Sequence, residues 1–357
     1  MDKFANKLAV DFATNQRIAL LIGLIDEFKG KWNFAEKREP RYLKELREIA
    51  AIESAGASTR LEGATLTNRE VQQIVNEKEI PEGSPQNQQR LFGYYEALLS
   101  ICSDYSKIKL SETSLKQLHQ LLLKHSAKDE RHRGGYKYLP NNVVLKYSPD
   151  EPQTVFSATE PASVEGEMRK LIEWANFRLA EKDMHPLIVF ALFVFEFIAI
   201  NPFHDGNGLL SRLLTTLFLL QQGYEFLQYI SFENHIEHRK KEYYEALMCG
   251  LKNRNTDEEC IDKWLIFFLD SLKLLTEKLE QKHKVFKSKG GYLNKRQKQI
   301  RDFIVQNQPL KVGDLSDQFP KISIATLKKD LQYLRNEQIL LMIGKGKGCV
   351  YILKEFD

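Results

Sequence analysis

Asn201-Pro202-Phe203-His204-Asp205-Gly206-Asn207-Gly208-Leu209-Leu210-Ser211-Arg212 follows one apolar run, Leu187 to Ile200, and passes directly into another, Leu213 to Leu220. The pattern predicts a helix, a loop of turn residues and the start of a second helix. Gly206 and Gly208 let the backbone approach a ligand closely, and the free N–H groups and macrodipole of a helix start make an anion pocket. Asp205 offers a hard oxygen to a Mg²⁺ escorting a phosphate, Asn207 offers amide donors, and Arg212 can aim a guanidinium fork at a second phosphate. A nucleotide site and a plain turn rich in Gly and Asn are both compatible with Asp-Gly-Asn-Gly, and spacing does not choose between them.

Outward from this loop, helical spacing dominates the first 280 residues: Leu43, Leu46, Ile49 and Ala50 recur with a period near 3.6, as do Leu115, Leu118, Leu121 and Leu122. The fold class implied is mainly α. Thr67-Asn68-Arg69-Glu70 opens a further helix as a capping box, with Val71 and Ile74 facing inward. Between Arg133 and Phe156 the pattern changes. Gly134-Gly135 precedes Tyr136 to Leu139, Pro140-Asn141-Asn142 breaks the chain, and Val143 to Tyr147 is β-branched and aromatic. This predicts a short hairpin laid against the helical body, since an isolated hairpin is marginal in water.

A chain of 357 residues predicts two or three domains, and 43% hydrophobic with 28% charged residues excludes disordered and fibrous classes. Leu187 to Ile200 is too short to span a bilayer and carries Glu196, so it reads as a buried helix and no membrane partner is expected. The N-terminus lacks the pattern of a signal peptide, and Cys102, Cys249, Cys260 and Cys349 are scattered, so a reducing cytoplasm is the expected location. Boundaries near residues 85 and 285, the latter at the Lys-rich linker Lys282 to Lys289, divide the chain into 1–85, 86–284 and 285–357.

Residues 281–357 hold 16 Lys and Arg against 7 Asp and Glu. Ile300, Phe303 and Ile304 mark one helix, Leu315 to Phe319 a second and Ser323 to Leu334 a third. Strands at Ile339 to Ile343 and Cys349 to Leu353 then flank Gly344-Lys345-Gly346-Lys347-Gly348. This order resembles a winged helix-turn-helix, with Thr326, Lys328 and Lys329 on the recognition helix and Lys345 and Lys347 in the wing. The charge favours duplex DNA as its partner over protein docking.

The segment 201–212 resembles the signature of the Fic (Fido) family, His-Pro-Phe-x-Asp/Glu-Gly-Asn-Gly-Arg-x-x-Arg, at seven of its nine specified positions. Met184-His185-Pro186-Leu187-Ile188, Gly134-Gly135-Tyr136, Glu242 to Leu247 and Trp264 to Leu269 extend the likeness over most of residues 40–280. The resemblance implies a helical bundle with a β-hairpin flap. It also implies transfer of AMP from ATP to a Ser, Thr or Tyr hydroxyl of a protein target or of the chain itself, with Mg²⁺ as cofactor. Carried over, Asp205 holds the metal, while Gly206, Asn207, Gly208 and Arg212 hold the nucleotide. By the same likeness Val143, Val144 and Leu145 form the flap edge that docks an extended target; a merely stabilising hairpin is the alternative. Tyr243 and Tyr244 are candidates to face the adenine. His185 reads as a structural residue that caps the buried helix, and His204 as a surface residue.

Two positions depart from the pattern. Asn201 stands where the family has its base histidine, and an amide has no proton-accepting lone pair of useful basicity near neutral pH. Leu209 stands where the family has its first arginine. Ser58-Thr59-Arg60-Leu61-Glu62-Gly63 matches the family's inhibitory pattern, which implies that Glu62 ion-pairs with Arg212; a helix ending at Gly63 is the plainer alternative. The reading that results is a protein that binds ATP or another nucleotide, is held shut by Glu62, and is impaired as an AMP-transferase. The alternatives are a transferase using another base, and a DNA-binding regulator that senses a nucleotide.

Overall fold

The computed structural model describes residues 4–8, 10–35, 40–77, 79–81, 83–148, 151–256, 259, 261–288, 293–336, 339–344 and 346–354. They fall into two compact units, Met1–Leu279 and Glu280–Asp357. The first runs through α1 (Phe12–Ala35), α2 (Pro40–Leu61), α3 (Asn68–Asn76), α4 (Gln86–Asp104) and α5 (Glu112–Leu122) to the strands β1 (Asn142–Ser148) and β2 (Glu151–Ser157). It continues with α6 (Pro161–Glu181), α7 (Pro186–Ile200), α8 (Asn207–Gln221), α9 (Phe232–His238), α10 (Lys240–Leu251) and the part of α11 (Asp262–Ser288) up to Leu279. The architecture is mainly helical, as the periodicity implies.

Helix α7 is apolar on every side, and such a helix must be enclosed; 12 of its 15 residues are buried, with α6 and α8 packed on it. Pro186 at its first turn supplies a preset φ, and His185 caps it by accepting from the Leu187 N–H. Its one charged residue, Glu196, pairs with Lys7 and with Arg254 at 3.1 Å, and Arg254 also bonds Glu167 at 2.9 Å. The helix stops at Asn201, whose φ of 50° is a left-handed conformation that asparagine adopts more cheaply than most residues.

The N-terminal segment is no separate domain. Small residues along α2, Ala50, Ala51, Ala55 and Ala57, are buried, and α2 packs against α4, α8 and α9, so the expected boundary near residue 85 runs through one core. The hairpin also differs from expectation. Its strands are β1 and β2, paired antiparallel from Asn142↔Ser157 to Ser148↔Glu151. Tyr136 instead bridges Phe203, because the Lys137 N–H bonds the Pro202 carbonyl at 2.9 Å and Pro140 then follows.

In the second unit Asn294 caps α12 (Lys295–Asn307) through a capping box with Gln297, followed by α13 (Val312–Gln318), α14 (Ile324–Asn336), β3 (Leu340–Ile343) and β4 (Val350–Leu353). Its core gathers Ile300, Ile304, Leu315, Leu327, Leu331 and Leu340. Leu310 pairs with Tyr351 beside the antiparallel β3 and β4. No described helix is long and apolar enough to cross a membrane.

Candidate functional site

The loop between α7 and α8 is held from several sides. Asn207, buried in the first turn of α8, closes the loop on itself: its Oδ1 accepts from the Phe203 N–H at 2.9 Å and its Nδ2 donates to the Phe203 carbonyl at 2.8 Å. Both faces of the amide expected on a phosphate therefore bind the loop. The His119 ring stacks on Phe203 with centroids 3.8 Å apart. Its Nδ1 accepts from the Gly134 N–H at 2.9 Å, which leaves the proton on Nε2 to be donated to the Asp205 carbonyl, also at 2.9 Å. Burial pushes this imidazole down to about 4, so it stays neutral in that role. From the other side Lys137 Nζ, pushed down to about 8 by burial, donates to Asn141 Oδ1 at 2.7 Å and to the Ile200 carbonyl at 3.3 Å.

Gly206, with φ 78°, precedes Asn207 and turns the chain into α8. The N-terminus so presented is covered by a carboxylate. Past the end of α2 the chain turns at Gly63 (φ 99°), placing the Glu62 side chain so that a β-carbon on Gly208 would lie 2.2 Å from its Oε1. Only glycine at 208 admits that approach. Arg212 Nη2 donates to the same oxygen at 2.7 Å, while its Nε donates to Ser58 Oγ at 2.7 Å. Burial works against the charge on Arg212, but Glu62, Tyr243 and Tyr94 together more than offset it, so the guanidinium is held above its ordinary value.

Asp205 is engaged as well. Both of its oxygens face Arg90 on α4, with Nη2 at 2.5 Å from Oδ2 and Nη1 at 3.4 Å from Oδ1. Nη2 also bonds Asp129 at 3.0 Å, and Asp129 is fully buried, taking further bonds from Ser126 Oγ at 2.6 Å and the His132 ring at 3.0 Å. A Mg²⁺ held through one carboxylate and substrate phosphates needs that carboxylate free. Here a guanidinium lies across it. Moving Arg90 away would leave the buried Asp129 without its guanidinium, with Ser126 and the His132 ring as its remaining partners. In this arrangement Arg90 takes the carboxylate that a Mg²⁺ would use, and among the described residues no group of three or more His, Cys, Asp or Glu could hold a metal.

A cavity of about 300 Å³ opens over the loop, lined by Asn201, His204, Asp205 to Gly208 and Arg212 on one side and by Lys240, Tyr243 and Tyr244 on the other. Tyr243 and Tyr244 are both buried, ring centroids 5.2 Å apart, with Tyr243 also against Trp264 and Phe267. They border the cavity as part of the core. Exposed His204 lies beside His132 and Tyr138, and Leu209 is buried. Val143 to Leu145 belong to β1, in a two-stranded sheet. In the second unit Lys328 and Lys329 are exposed on α14 and Thr326 is half-buried; Lys345 and the Lys347 side chain lie outside the described residues.

Sequence reading missed Arg90, Asp129, His119 and Lys240. Each is remote from the signature loop in sequence, and none falls in a motif of its own.

Residues 109–219 match the family described as Fic/DOC. They form a Fic/DOC domain. The match runs from before α5 through most of α8, so it holds Asn201 to Arg212 but excludes Glu62, Arg90 and the tyrosines of α10. The protein adenylyltransferase Fic of Drosophila grimshawi is 25% identical over 223 residues, 60% of this chain, and the chain spans only 43% of that relative's length. A Fic family protein from Desulfovibrio desulfuricans superposes with a TM-score of 0.62 at 21% identity, over 96% of this chain and 97% of its own. A Fic domain containing signaling protein from Bacteroides thetaiotaomicron gives 0.57 at 20% identity, over 76% of this chain and all of its own. These structures share the fold of the Fic/DOC domain and its surrounding helices.

Proposed function

We infer that this protein binds ATP or another nucleotide at the N-terminus of α8 and is a protein adenylyltransferase scaffold with impaired transfer. One observation carries the reading: the Glu62 carboxylate lies against Gly208 and on Arg212, where the helix start and a buried guanidinium await an anion. A phosphate would meet the same helix start and guanidinium there, so Glu62 acts as a built-in competitor, and nucleotide binding requires its side chain to leave. The adjoining cavity of about 300 Å³ is large enough for part of a nucleotide, with Tyr243 and Tyr244 on its far wall.

In AMP transfer a hydroxyl oxygen attacks the α-phosphorus, the bond to pyrophosphate breaks, and the hydroxyl proton must be taken up. Asn201 lines the cavity at the base position and cannot take it. Loss of a general base costs about 10²–10⁴ in rate. The open edge of β1 would align an extended target segment by strand addition. Calorimetric titration of ATP into wild type and Glu62→Gly, followed by incubation with labelled ATP, tests the reading. Binding with slow or no labelling is expected. Absence of binding to both proteins, or labelling at ordinary enzymatic rates, overturns it.

For the second unit the exposed Lys328 and Lys329 on α14, together with the helix-helix-helix-strand-strand order, support a winged helix that contacts duplex DNA. The full chain is expected to shift a DNA duplex in low salt; failure to do so assigns this unit to protein docking.

A further inference from the structure

Arg60 stands two residues before Glu62, in the last turn of α2, and its guanidinium makes three bonds, none of them to the signature loop. Nε and Nη2 form a two-pronged pair with the Glu237 carboxylate of α9, at 2.6 and 2.8 Å. Nη1 donates to the Leu66 carbonyl at 3.1 Å, beyond the turn made at Gly63. Inside that turn the Gly63 N–H bonds the Arg60 carbonyl at 3.0 Å and the Ala64 N–H bonds the Thr59 carbonyl at 3.1 Å. One arginine therefore ties both ends of the segment that carries Glu62 and anchors them to α9. Gly56, one turn earlier on α2, leaves room for it: a β-carbon there would lie 2.9 Å from Arg60 Nη1 and 3.1 Å from Val71 Cγ2. Glycine weakens a helix interior, and here it admits the guanidinium.

We propose that Arg60 and Glu237 are positioning residues for the Glu62 carboxylate, and that their clamp sets how strongly it excludes phosphate from Gly208 and Arg212. The inference rests on the nucleotide reading above and adds to it what fixes the strength of the competitor. The Glu62 side chain is 40% exposed, and a partly exposed ion pair is weak by itself. A competitor in the same chain acts at an effective concentration that rises as its segment is held in place, because less freedom is lost when the contact forms. The clamp supplies that hold. Neither Arg60 nor Glu237 lines the cavity over the loop, so their effect on a nucleotide passes through Glu62.

The test is ATP binding, by calorimetry, to the full-length variants Arg60→Met and Glu237→Gln, each made alone and each combined with Glu62→Gly. Alone, each is expected to bind ATP about three- to tenfold more tightly than wild type, the fold-change that corresponds to the net worth of a typical hydrogen bond. Combined with Glu62→Gly, neither is expected to move the affinity by more than about twofold. A change below about twofold in the chain that keeps Glu62 overturns the inference and leaves the nucleotide reading standing. An equal rise in the Glu62→Gly background also overturns it, since the effect would then pass through α10 with its Tyr243 and Tyr244. If wild type shows no binding, the single variants are expected to show it, and their silence beside a binding Glu62→Gly overturns the inference. No binding by any of these proteins, Glu62→Gly included, overturns both readings. Should Arg60→Met fail to fold, Glu237→Gln, which keeps the size of a partly exposed side chain, decides alone.

Discussion

Glu62 Oε1 and Gly208 are so close that a single β-carbon on the glycine would come within 2.2 Å of the oxygen. A residue that ends one helix therefore covers the beginning of another, 146 positions later in the chain. Replacing Glu62 by glycine uncovers the helix start and frees Arg212 of its carboxylate. ATP affinity is expected to rise by about 5–150-fold, the usual range for removal of a coupled competitor, measured by calorimetry against wild type.

Restoring the departures from the signature should restore chemistry. Asn201→His places a base where the backbone is left-handed (φ 50°), a region that histidine tolerates better than most residues. Combined with Glu62→Gly and Leu209→Arg, it is expected to raise self-modification by about 10²–10⁴, read as label from ATP retained on the protein. A triple variant that binds ATP and remains unlabelled would show that Asn201 is not what limits transfer.

Glu196 is buried on α7 between Lys7 and Arg254. Glu196→Ala leaves Lys7 with Glu259 and Arg254 with Glu167 as their remaining carboxylates. A loss of roughly 1–3 kcal/mol in unfolding free energy is expected, the usual cost of depriving buried polar groups of one partner. Urea denaturation measures it, and a change below about 1 kcal/mol would mean that water reaches the network.

The neutral His119 makes stability depend on acid. Its folded value is about 4, lowered by burial from 6.5. Between those values the unfolded chain takes up a proton that the fold refuses. Stability is therefore full above pH 6.5 and declines as pH falls toward 4, by about 1.4 kcal/mol per pH unit for one such group. His235, also lowered to about 4 by burial and by Lys278 and Arg239, adds a second share. His119→Gln is expected to lower stability at pH 7 but to flatten its decline between pH 6.5 and 4, measured by urea midpoints across that range.

DNA binding, if carried by α14, has a salt signature. Each phosphate contact contributes about −0.9 to the slope of log K against log salt, so Lys328→Ala/Lys329→Ala is expected to flatten the slope by up to about two. Fluorescence anisotropy of a labelled duplex reads it; an unchanged slope moves the contact elsewhere.

The sequence by itself determined the helices and the loop. Leu187 to Ile200 had to be enclosed because it has no polar face, and Gly206 had to turn the chain into the next helix because it allows a left-handed backbone that other residues resist. Periodicity and turn chemistry are local, so they are legible in a run of residues. The tertiary structure alone decided where the hairpin strands lie, since Tyr136 was claimed by Phe203 across the molecule. It also decided that the region before residue 85 joins one core, because the small residues of α2 fit α4 and α9. Most of all it decided the electrostatics at Asp205. That carboxylate reads as a metal ligand from its neighbours in sequence. Arg90, 115 positions earlier, and buried Asp129 make it one end of a fixed ion network, because a charge removed from water takes whatever partner the fold places beside it.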